Sequence, residues 1–268
     1  MNQRFVVANW KMNPETEAEA VELFGATRDA AKTAPSVTVV VAPPFTFLSP
    51  IEHRYGLANA ETRREAKIHL AAQDLFWERD GAYTGEVSGA MEKNIGATHV
   101  IVGHSERRRV LAETDEMVAK KLKKALEFGL VPILCIGENE RLGGEIPERV
   151  GDELKSAMAG LEPSELRRII IAYEPVWAIG SGKPDTPEGM LSAAIYIRKI
   201  LTEIFSQDIA TQAPILYGGS VNSANVSSFF TETSGQVSGV LVGGASLDSH
   251  EIAAIITVVG RLSIISIV

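Results

Sequence analysis

Eight short apolar runs alternate along this chain with stretches of helical periodicity, and that alternation limits it to very few folds. The runs are Phe5–Ala8, Val37–Ala42, Ile68–Ala72, Thr98–Val102, Val131–Ile136, Ile169–Tyr173, Pro214–Tyr217 and Gly239–Val242. Several are apolar throughout, as expected of strands covered on both faces. Between them the pattern predicts a helix opened by Pro14, with Ala18, Val21, Leu23 and Phe24 supplying most of its stripe. A second is capped by Thr114, buries Val118, Leu122, Ala125 and Leu126, and ends at Gly129. Others are expected over Ile146–Met158 and Pro187–Phe205, and a last one near Asp248, where Asp248 and Glu251 have capping-box spacing. Eight β–α units in about 250 residues fit one closed (β/α)8 barrel, here a single α/β domain over residues 1–268. An open doubly wound sheet is the alternative. Polar residues follow the first, fourth, sixth, seventh and eighth runs, and only a closed barrel brings those strand ends to one mouth.

The formal net charge of -8 argues against nucleic acid as a partner, while a local basic pocket for an anionic metabolite remains allowed. Cys135 is the sole cysteine, which excludes a disulfide framework and fits a reducing cytoplasm. The N-terminus has no long apolar segment of a secretory signal. The apolar tail Leu262–Val268 is too short to span a bilayer, so no membrane role is expected, and it reads as the end of the last helix packed on a neighbour. The polar stretch Ala58–Lys67 reads as a solvated helix turn or a surface loop.

The most informative stretch is Tyr173–Lys183, YEPVWAIGSGK. Glu174 leaves a buried strand, Pro175 breaks regular structure, and an apolar tip lies between glycines. This is the composition of a lid over residues 175–183 that closes and excludes water. A carboxylate at the root of such a lid suits carbon-acid deprotonation, because desolvation raises its basicity. Around the expected mouth stand Asn9, Lys11, His104, Glu174, Ser220, Gly243 and Gly244. Lys11 offers a fixed cation for an anionic substrate and for charge developing on oxygen. His104 precedes Ser105-Glu106, where a helix can begin, and amides aimed at its ring would depress its pKa and favour the neutral imidazole. The pairs Gly218-Gly219 and Gly243-Gly244 let backbone amides approach a phosphate, with Gly180 adding another when the lid closes. The sequence has neither convincing metal-ligand spacing nor a dinucleotide fingerprint, so the implied chemistry needs no cofactor and no metal.

Six segments, NWKMN at 9–13, HSERR at 104–108, CIGE at 135–138, YEPVWAIGSGK at 173–183, YGGSV at 217–221 and GVLVGG at 239–244, together resemble the triosephosphate isomerase family, in order over nearly the whole chain. The resemblance implies a homodimeric glycolytic and gluconeogenic isomerase that interconverts dihydroxyacetone phosphate and glyceraldehyde 3-phosphate. It implies Glu174 as the base, neutral His104 as the electrophile, and Lys11 and Asn9 at the enediolate oxygen. It further implies Gly180, Ser220, Gly243 and Gly244 at the phosphate, and Glu106 as a supporting partner of Lys11. The dimer would form through the 73–87 loop. Asp74 departs from the family's usual Asn there, and an acid at that point can retune the interface. The 58–67 stretch and the C-terminal tail also look longer than usual. Competing readings are the same chemistry on a larger sugar phosphate, a catalytically silent phosphate-binding barrel, and a synthase or lyase on the same scaffold.

Overall fold

The computed structural model describes residues 3–141 and 143–265. Its strands are β1 (Arg4–Asn9), β2 (Val37–Ala42), β3 (Ile68–Ala72), β4 (His99–Val102), β5 (Val131–Glu138), β6 (Ile170–Pro175), β7 (Ile215–Tyr217) and β8 (Gly239–Val242). They form a closed parallel barrel in sequence order, shut by β1 against β8 with Phe5 opposite Gly239 and Ala8 opposite Val242. The open-sheet alternative is excluded, and the (β/α)8 architecture expected from the alternation is present.

The two-residue period of a strand divides the core into two layers. On β1, Phe5 and Val7 face the barrel interior with Val40, Ala71, Ile101, Ile133, Cys135 and Leu241. Val6 and Ala8 face outward under the helices, in the larger cluster with Trp10, Phe24 and Ile256. Each fully buried Val, Leu or Ile contributes roughly 1.5–3 kcal/mol relative to exposure. The same alternation carries the inward face of β1 on to Asn9, at the mouth. At the opposite end, His69 and His99 share the inward faces of β3 and β4 with Ala71 and Ile101, their rings edge to face at 5.2 Å. Thr98 Oγ1 lies 3.2 Å from His69 Nδ1 and 2.8 Å from His99 Nδ1.

Several helix boundaries differ from the sequence reading. The first helix spans Glu17–Thr33 rather than starting at Pro14, because Thr16 accepts from the Glu19 amide while the Glu19 carboxylate accepts from the Thr16 amide. Its inward stripe is Ala20, Phe24, Thr27 and Ala31, and Ala18 is exposed. Three helices, Phe45–Tyr55, Gly89–Ile95 and the short Ser228–Thr231, complete the outer ring beyond those predicted. The helix capped by Thr114 buries the four residues expected of it and also Lys121. Most of the 58–67 stretch is a short helix, Ala60–Ala66, capped by Asn59. Asp248 caps the last helix through the His250 and Glu251 amides, but the Glu251 carboxylate turns away to Ser223 in the loop after β7, so no reciprocal box forms. Leu262 packs against the core as the tail reading expects, and residues 266–268 of that tail lie outside the described residues.

Asp74 does not leave an uncompensated charge. Lys121 Nζ lies 2.7 Å from both of its oxygens and Arg107 Nη2 lies 2.8 Å from Oδ2, all within one chain. Burial nonetheless pushes the Asp74 pKa up to about 6, against the pull of those two cations.

Candidate active site

At the mouth of the barrel, Asn9, Lys11, His104, Glu174, Gly180, Ser220, Gly243 and Gly244 line one cavity of about 250 Å³. The structure thus brings together eight residues separated by as many as 235 positions in sequence (244 minus 9). Glu106 stands beside them and holds Lys11, with Nζ 2.6 Å from Oε1.

Lys11 is reached through a strained turn. Its φ of 55° lies in the left-handed region, which costs a non-glycine residue about 1 kcal/mol or more. Asn9 Oδ1 accepts from the Lys11 amide at 3.0 Å, and Gln73 Nε2 donates to the Lys11 carbonyl at 2.7 Å. These bonds hold the turn and aim the ammonium across the mouth. On the opposite wall, Gly103 alone separates His104 from β4, and the helix Ser105–Val110 begins at the residue after His104. The Glu106 amide donates to His104 Nδ1 at 3.2 Å. A nitrogen that accepts carries no proton, so this bond assigns the ring proton to Nε2.

His104 Nε2 lies 3.0 Å from Glu174 Oε1, and the Ser105 amide donates to Glu174 Oε2 at 2.9 Å. Both side chains are buried. Burial pushes the Glu174 pKa up, but the His104 contact and the Ser105 amide outweigh it and hold it below the usual carboxylate value. For His104, burial pushes downward, while the Glu174 carboxylate, its hydrogen bond and Glu106 carry the pKa above the ordinary value. Each direction is opposite to the sequence expectation. Desolvation of Glu174 and the amides beside His104 are effects on isolated groups, and here each group is the other's strongest partner. A reacting atom that replaced the His104–Glu174 contact would leave burial acting on the carboxylate and restore its basicity.

The lid lies against the barrel. Val176–Ala178 form a 3-10 turn, and Ser220 Oγ donates to the Ala178 carbonyl at 2.6 Å. Trp177 Nε1 donates to Glu138 Oε1 at 3.1 Å. Beyond the lid, the Asp185 amide donates to the Tyr217 hydroxyl at 2.8 Å.

Gly137, within the CIGE segment, supports Glu174 in a way that no sequence pattern signals. A Cβ there would sit 1.8 Å from the Glu174 carbonyl oxygen on the neighbouring strand. Gly137→Ala is therefore expected to displace β6 at Glu174. Because a shift of about 1 Å at a reacting group can cost roughly 10²-fold, kcat should fall by that order. Steady-state kinetics beside a thermal melt check this, and wild-type kcat in a folded Gly137→Ala protein would contradict it. Arg141 and Asp185 also went unnoticed in sequence, since neither belongs to a motif and their contact exists only in three dimensions.

Comparison with known proteins gives a consistent result. The family described as triosephosphate isomerase matches residues 4–259. The chain is 41% identical to a triosephosphate isomerase of Dictyoglomus turgidum, over 92% of this chain and 96% of the relative. It is 42% identical to one of Moorella thermoacetica, over 96% and 98%. The crystal structure of triosephosphate isomerase from Bartonella henselae superposes with a TM-score of 0.80 at 32% identity, covering 96% of this chain and 98% of that one.

Proposed function

The chain belongs to the triosephosphate isomerase family and is an isomerase, and from that premise we propose how its own residues interconvert dihydroxyacetone phosphate and glyceraldehyde 3-phosphate. The observation that carries the reading is the pairing of one carboxylate and one imidazole, 3.0 Å apart, in a cavity that also holds a lysine and a lid. Glu174 removes a proton from the carbon next to the carbonyl. The electron pair moves to the carbonyl oxygen, and an enediolate forms. His104 donates its Nε2 proton to that oxygen and takes one from the neighbouring hydroxyl, which requires a neutral ring; the Glu106 amide favours it, and burial favours it too once substrate replaces the Glu174 contact that raises the His104 pKa. Glu174 then returns its proton to the adjacent carbon. Lys11 stabilises the oxygen as it becomes negative, Asn9 orients it, and Glu106 fixes Lys11. Gly180, Ser220, Gly243 and Gly244 hold the phosphate, and the 175–183 lid keeps water from the enediolate.

The cavity of about 250 Å³ lies below the roughly 300–1,000 Å³ of sites for drug-sized ligands, as suits a small sugar phosphate. A purely phosphate-binding role would not call for a buried Glu174 paired with His104. We read the whole chain as one barrel domain working as a homodimer in the cytoplasm. The 73–87 loop, exposed over 81–86, would enter the partner's groove between Met12 and the exposed pair Val110 and Leu111. A reducing compartment fits the single, buried cysteine. Turnover of dihydroxyacetone phosphate and of a four-carbon ketose phosphate by the pure protein tests the reading. The triose should turn over at least tenfold faster in kcat/KM, a factor set by how much one extra carbon is worth in a fitted site. Equal turnover, or none with the triose, would overturn it.

A further inference from the structure

One guanidinium touches both ends of the lid. Arg141 follows β5, outside the cavity, and its side chain is almost fully buried. On the N-terminal side of the lid, its Nη2 donates to the Tyr173 hydroxyl and its guanidinium lies 5.4 Å from the Trp177 ring centre. Its Nε donates to Glu138 Oε1 at 3.1 Å, the same oxygen that accepts from Trp177. On the C-terminal side, Arg141 Nη2 lies 2.9 Å from Asp185 Oδ2. That oxygen is buried and has no hydrogen-bond partner among the described residues, so the Arg141 charge is what compensates it. Asp185 Oδ1 accepts from the Thr186 amide at 2.8 Å.

The carboxylate also has a space made for it. Gly189 lies in the first turn of the helix Pro187–Ile204, where glycine weakens a helix. A Cβ at that position would meet Asp185 Oδ1 at 2.2 Å and both the carboxyl carbon and Oδ2 at 2.7 Å. A side chain there and this carboxylate exclude each other. The absence of a side chain at 189 is therefore the condition for the ion pair with Arg141.

We propose that Arg141 and Asp185 are positioning residues whose buried ion pair ties the C-terminal hinge of the lid to the loop after β5 and so stabilises the closed lid over the phosphate. The inference rests on the reading of 175–183 as a phosphate-covering lid. Neither side chain lines the active-site cavity, and both act through the hinge. When the lid opens, the hinge moves, and Asp185 must either leave Arg141 or draw it away from Tyr173 and Glu138. The pair is buried, so salt screens it little, and its loss falls on the closed state.

The test uses the full-length protein with Asp185→Asn, Asp185→Ala, Arg141→Met and the double variant Arg141→Met/Asp185→Ala. Tryptophan fluorescence, recorded in a Trp10→Phe/Trp77→Phe background so that Trp177 is the sole emitter, follows the lid as inorganic phosphate is titrated, and steady-state kinetics follow KM and kcat. Both Asp185 variants should weaken phosphate binding and raise KM by about tenfold, the loss expected when a closed state gives up one such contact, with a smaller change in kcat. The double variant should be no worse than the more impaired single, because each single already removes the pair. A phosphate response in wild-type protein that both Asp185 variants retain within twofold would overturn the inference alone, as would fully additive losses. A wild-type protein whose Trp177 and phosphate affinity show no response at all would overturn the lid reading and the inference together.

Discussion

Glu174→Gln is expected to lower kcat/KM for triose phosphate isomerisation by roughly 10²–10⁴-fold, the usual worth of a positioned general base. That corresponds to about 3–5 kcal/mol of transition-state stabilisation. The amide keeps the volume and can accept from one of the two donors, His104 Nε2 or the Ser105 amide, that the carboxylate serves, but it has no lone pair basic enough to take a proton from carbon. Inorganic phosphate affinity should change far less, because the phosphate residues are untouched. Glu174→Asp retains the carboxylate and withdraws it by one methylene, so it should fall between the two, near a 10²-fold loss. Steady-state kinetics with both substrates, alongside a phosphate titration, separate loss of chemistry from loss of binding. A Gln variant with undiminished turnover would mean that some other group removes the proton.

Glu92→Leu is expected to stabilise the protein at neutral pH. Glu92 is 1% exposed, its Oε2 has no hydrogen-bond partner among the described residues, and it lies within the field of Asp74. Burial, with Asp74 adding to it, raises its pKa to about 9. A folded-state pKa above the unfolded value means that the carboxyl favours folding below about pH 4.5, and that this contribution is lost as pH rises towards 9. At pH 7 the shift amounts to roughly 3 kcal/mol against folding, and at pH 5 to about 1 kcal/mol. Leucine removes that term, so the stabilisation should be larger at pH 7 than at pH 5 by about 2 kcal/mol. Urea denaturation at both pH values and one fixed protein concentration measures it. A gain that did not change with pH would show that Glu92 is ionised in the folded protein. His69 and His99 work in the other direction. Burial lowers their pKa values to about 4 and about 3, with Arg63 and His69, respectively, the next contributors. Stability from that pair is present above pH 6.5 and is lost as pH falls, because only the unfolded chain takes up their protons. Comparison of Glu92→Leu with wild type cancels this shared term.

Much of the candidate site is legible in residues whose chemistry is local to a motif. Glu174 before Pro175 and the glycine-bounded tip, Lys11 after a strand, and His104 before a helix start all announce themselves by type and neighbours. The pKa directions did not follow, because Glu174 and His104 set each other's values across 69 intervening positions' worth of fold. The consequence of Asp74 was also hidden, since its partners Lys121 and Arg107 come from elsewhere in the chain. The first helix starts later than Pro14 for a local reason: a proline suits a helix's first turn but does not start one, and the reciprocal Thr16–Glu19 bonds do.

What the sequence determined by itself was the alternation of strands and helices, and from it the barrel and the order of its strand ends. Hydrophobic periodicity is a property of neighbouring residues, and it acts before any distant contact forms. The tertiary structure alone decided which charges met: Glu174 with His104, Lys11 with Glu106, and Arg141 with Asp185 in the space left at Gly189. Coulomb energy and desolvation depend on separations of a few ångströms and on the water excluded around each pair, and closing the barrel fixes both.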